Sequence, residues 1–138
     1  MIRSGAVIAL ATLAAAAVAA RADARELSPG ASEYQLSCAA CHGSRGRGNG
    51  PMARALAKKP TDLSKLEEAN DYEFPYLKVF QVVDGRAMVT DHGTREMPVW
   101  GRRYVEDIGD SRGPYGSEAA VRDRIDALVR HVQSLQER

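Results

Sequence analysis

A mainly α-helical domain is predicted for this chain of 138 residues, on three observations. Val121, Ile125, Leu128, Val132 and Leu135 form one apolar stripe at helical spacing along the C-terminal segment. Tyr76, Val79, Phe80 and Val83 repeat the pattern over a shorter stretch, opened by Pro75 and closed by Asp84-Gly85. Ser28-Pro29 has the form of an N-cap followed by proline at the first helical position. A chain of this length supports one domain.

The first residues read as an export signal. Arg3 precedes GAVIALATLAAAAVAA, Gly5 to Ala20, an uncharged, alanine-rich run. It is shorter than the roughly 20 apolar residues a bilayer span needs, and small residues follow it. Patterns of the A-x-A type end at Ala19, Ala22 and Ala24. Residues 1–24 are therefore expected to be a signal peptide cleaved within 19–24, with residues 25–138 as the mature domain; the competing reading is a retained anchor helix. Cleavage after Ala24 removes Arg3, Arg21 and Asp23 and leaves equal numbers of basic and acidic residues. That balance offers no basic surplus for nucleic acid and no acidic tail for disorder. With two Phe and one Trp, so small a domain would gain from an apolar cofactor filling its core.

The mature elements follow in order. A short helix is expected from about Gly30 into Cys38, with Ser32 and Gln35 offering a capping box. Gly43 to Pro51, GSRGRGNGP, is a glycine-rich loop whose Arg45 and Arg47 read as solvated. Pro51 to Lys59 is expected as a short helix stopped by Pro60, and Thr61 to Asp71 as turns or a further helical piece. Pro75 opens the next helix. From Arg86 to Pro114 no periodicity is sustained, and a long loop is expected. Ser117 then caps the C-terminal helix, and His131, off its stripe, reads as solvated.

The chemistry lies in Cys38-Ala39-Ala40-Cys41-His42, which contains both cysteines of the chain. A disulfide across two residues closes too small a loop to gain much from restricting the unfolded chain. A redox dithiol wants a strand–helix setting, and no β-rich run precedes Cys38. A structural zinc site needs four ligands, and His42, His92 and His131 lack finger-like spacing. The spacing fits covalent attachment of haem: two thiols for two vinyl groups, and an imidazole directly after them to reach the iron. His42 decides between these readings, because haem attachment then uses every residue of the motif and both cysteines.

These residues, with GRGNGP (Gly46 to Pro51), MPVWG (Met97 to Gly101) and the terminal helices, resemble the class I c-type cytochromes, small monohaem electron carriers. The likeness runs from about Leu27 to the end. CAACH alone would fit other haem c folds; in the four-helix-bundle kind the motif lies near the C-terminus, whereas here it lies near the mature N-terminus. The resemblance implies four to five helices wrapped around one covalent haem c, with the N- and C-terminal helices packed through Gly30 and Tyr34. It implies thioethers at Cys38 and Cys41, His42 and Met97 as axial iron ligands, the Pro51 carbonyl as acceptor for His42, and Trp100 and Tyr104 beside the haem. Met97 precedes Pro98, which stiffens its loop; Met88 and His92 are distant competitors.

A His/Met pair leaves the iron no open position, which suits a carrier and not an enzyme. The function expected is an exported, periplasmic electron-transfer protein. As a monomer it would pass single electrons between a redox-protein donor and acceptor (a dehydrogenase, a cytochrome complex or a terminal oxidase). The alternatives are a haem enzyme or gas sensor with a labile or absent Met97 ligand, and a fixed cytochrome subunit of a dehydrogenase or oxidase complex.

Overall fold

The computed structural model describes residues 27–86 and 97–137. The segment expected to be a signal, Met88 and His92 lie outside them. Among the described residues there are five α-helices and no strand: α1 (Pro29–Ser37), α2 (Ala39–His42), α3 (Tyr76–Asp84), α4 (Trp100–Ile108) and α5 (Gly113–Ser134). Three 3-10 turns, Ala53–Ala55, Leu63–Lys65 and Glu68–Asn70, lie between α2 and α3. None of these helices is long and apolar enough to cross a membrane.

α5 is the spine, and α1, α3 and α4 all pack on it. Its Val121, Ile125, Leu128 and Val129 are fully buried, joined by Tyr34 of α1, Val83 of α3, Tyr104 of α4 and Phe74. The predicted stripe is thus the core.

α1 begins as its sequence indicates, with the Ser28 hydroxyl accepting from the Ala31 amide at 3.3 Å and Pro29 in the first turn. Ser28 therefore supplies the cap that Ser32 and Gln35 also offered. Gly30 lets α1 approach α5 closely, because a Cβ there would collide with the Ala127 carbonyl. Backbone cannot yield as a side chain can, so Gly30→Ala is expected to destabilise the fold by about 2–3 kcal/mol. Thermal unfolding checks this, and a melt unchanged from wild type would show that the helices separate at little cost. α3 also follows expectation, with Pro75 at its N-cap and Gly85, at φ 62°, closing it through a 2.9 Å bond to the Gln81 carbonyl.

Four expectations need correction. Pro51–Lys59 is no α-helix: the Met52 amide donates to Ala40 in α2, and the next turns close by i to i+3 bonds. The stretch Arg86–Pro114 contains α4, whose Trp100, Tyr104 and Ile108 pack on the core at four-residue spacing. α5 starts at Gly113, and the Ser117 hydroxyl donates instead to the Gly109 carbonyl at 2.7 Å, bracing the α4–α5 turn. His131 is not solvated, because its ring lies tilted against Tyr34 with centroids 5.0 Å apart and a buried Nε2.

Candidate functional site

Cys38, Cys41 and His42 are gathered into a single turn. Cys38 ends α1 by donating its amide to Tyr34 and starts α2 by accepting from the Cys41 and His42 amides at 3.1 and 2.9 Å. Its side chain is buried, that of Cys41 half-buried, and the two thiols are free rather than bridged. Burial first, then the charges of Glu33 and Cys41, pushes the Cys38 thiol up to about 12, so it stays neutral before any reaction.

The glycine-rich loop locks this turn in place. The Gly48 amide donates to His42, Gly50 to Cys41 and Met52 to Ala40, at 2.8, 3.0 and 2.9 Å. These bonds satisfy the C-terminal carbonyls of a helix too short to hold itself together. Tyr34 adds a buried bond from its hydroxyl to the Gly43 carbonyl at 2.7 Å. At the outer end Arg47, half-exposed, grips Glu137 near the C-terminus, so it is paired where the sequence suggests free solvation.

The loop then returns, with the Leu63 amide donating to Gly46, and brings the Thr61 carbonyl to His42. His42 Nδ1 donates to that oxygen at 3.0 Å. A carbonyl can only accept, so the proton is on Nδ1 and Nε2 keeps its lone pair. Burial lowers the His42 pKa against the opposing pull of Thr61, which keeps the ring neutral.

Thr61 replaces Pro51 as the acceptor. Pro51 follows Gly50, whose backbone is spent on α2, and it lies exposed beside Ala39 and Ala40. No side-chain pattern points to Thr61, because the interaction is with its backbone.

Met97 and Trp100 pack, partly buried, against the core cluster, and Trp100 opens α4. The Trp100 ring lies 6.1 Å from that of Tyr104 and carries the Arg103 guanidinium at 5.0 Å. The Tyr104 hydroxyl is spent on Glu33 at 2.9 Å, so it has a partner within the fold. Glu33 itself is absent from any motif. Nearly buried, it also accepts from Ser37 at 2.6 Å and from Arg124 at 2.9 Å.

This donor set fits a covalent haem. Two unbridged thiols and an imidazole whose Nε2 keeps its lone pair occupy one turn, the imidazole oriented by a carbonyl as metal-binding histidines are. Among the described residues no three His, Cys, Asp or Glu side chains converge to hold a bare metal ion. The family model described as Cytochrome c matches residues 27–136. No curated protein and no solved structure matches the chain.

Proposed function

As the chain belongs to the cytochrome c family, whose cofactor is covalent haem c, we propose that it is an exported carrier moving single electrons between redox proteins. The family acts in electron transfer between protein partners and is often exported in bacteria. The finer reading places this chain in the periplasm, serving a respiratory or dehydrogenase chain.

Cys38 and Cys41 would form the thioethers, and His42 and Met97 would bind the iron. The observation carrying this is His42, with Nδ1 held by Thr61 and Nε2 left as a neutral donor one turn after Cys38. Bound there, the haem would supply a one-electron couple. The chain's own part is to keep water and small ligands away, hold the two axial donors and present a surface to partners.

Removing Met97 tests the assignment. A thioether is a weak ligand retained by its loop, so Met97→Ala should leave the helices folded. It should abolish the sulfur-to-iron charge-transfer band of the oxidised protein, lower the reduction potential and admit carbon monoxide, and Met88→Ala should do none of these. If the wild type binds carbon monoxide readily at neutral pH, the carrier reading gives way to a sensor or an enzyme.

A further inference from the structure

α3 ends at Asp84, and the described chain resumes at Met97, three residues before α4. These two places meet in space. A Cβ on Gly85 would lie 3.4 Å from Cα of Val99, and one on Gly101 would lie 2.7 Å from the Asp84 carbonyl oxygen and 2.8 Å from Arg86 Nε. Gly101 thus allows the first turn of α4 to rest directly on the end of α3.

Arg86 fastens this junction to the core helix. Its Nε and Nη2 donate to the two carboxylate oxygens of Asp84 at 2.5 and 3.3 Å, and its Nη1 and Nη2 donate to Glu118 of α5 at 2.7 and 3.0 Å. One guanidinium therefore makes two forked contacts, a geometry lysine cannot reproduce. The Arg86 and Asp84 side chains are 28% and 19% exposed, more sheltered than an ordinary surface pair. Arg122 also reaches Glu118, at 3.3 Å.

We propose that Arg86, bridging Asp84 and Glu118, is a positioning residue for Met97. By bracing the end of α3, on which the first turn of α4 rests through Gly101, against α5, it sets how readily the Met97 thioether leaves the iron. This rests on Met97 being the axial ligand. The clamp lies at the edge of the core, so its loss should free the ligand segment while the buried contacts of α1, α4 and α5 remain. A fastening that only stabilised the fold would affect the ligand and the helices together.

The test uses the oxidised holoprotein. Cyanide binding is followed beside the sulfur-to-iron band, and the helical signal is followed through a thermal melt. Arg86→Gln should bind cyanide about tenfold faster, equivalent to about 1.4 kcal/mol. It should lose the band on heating well before the helices melt. Glu118→Gln, which leaves the Asp84 fork in place, should show a smaller change in the same direction. If Arg86→Gln does not fold, the Glu118→Gln result decides. An unchanged cyanide rate, or a band lost only in step with the helices, overturns the proposal. Met97→Ala run alongside separates the two readings: if it leaves the band and the cyanide rate unchanged, the ligand assignment itself is wrong.

Discussion

Tyr34→Ala lowers the stability of the holoprotein by about 3–5 kcal/mol and leaves the haem attached. Tyr34 is wholly buried where α1 meets α5, with His131 tilted against its ring. Truncation opens a cavity between two helices whose backbones Gly30 already holds in contact, so they have little freedom to collapse into it. It also removes the hydroxyl bond to Gly43, loosening the loop that clasps α2. Tyr34→Phe separates the two effects, keeping the packing and removing only the hydroxyl bond to a Gly43 carbonyl that still accepts from the Gly46 amide, at about 0.5–1.5 kcal/mol. Urea unfolding followed by circular dichroism measures both. A wild-type midpoint for Tyr34→Ala would mean that the α1–α5 contact contributes little.

Glu33→Gln is expected to cost about 3 kcal/mol at neutral pH and to flatten the acid limb of the stability curve. Burial by itself would raise the Glu33 carboxyl; hydrogen bonds from Ser37, Arg124 and Tyr104, with the Arg124 charge, outweigh it and hold the group below its ordinary value of 4.5. A carboxyl lowered by folding binds fewer protons in the native state than in the unfolded one. Its stabilisation is therefore complete above about 4.5 and is lost as pH falls through and below that value. The cost lies at the low end for a broken buried pair, because Arg124 is 34% exposed and keeps Asp107 as a partner. Unfolding free energies measured from neutral to acid pH check this. An acid limb of equal slope in wild type and variant would show that Glu33 is not among the titrating groups.

The elements legible in the sequence are those with short-range causes. The CAACH turn needs only the spacing of its own residues, α3 its proline start and glycine stop, and α5 its stripe. α4 was less visible: its core residues recur every four positions, but Arg102, Arg103, Glu106 and Asp107 interleave them, and its helical form is supported by packing on α5. Pro51–Lys59 erred in the opposite direction. Its alanines and leucine suit a helix, but the Met52 amide is taken by the Ala40 carbonyl of α2 and the following turns close by i to i+3 bonds.

The sequence by itself determined the cofactor chemistry and the helical class, because each depends on residue types at fixed offsets along one segment. The contact of the two terminal helices was implied only by the resemblance to c-type cytochromes. The tertiary structure alone decided which carbonyl orients His42, where the charge of Glu33 is neutralised, and how Arg86 joins the end of α3 to α5. Thr61 and His42 are 19 residues apart, Glu33 and Arg124 are 91 apart, and Arg86 and Glu118 are 32 apart. Hydrogen bonds of that range depend on where the folded backbone passes, and no local pattern of side chains encodes it.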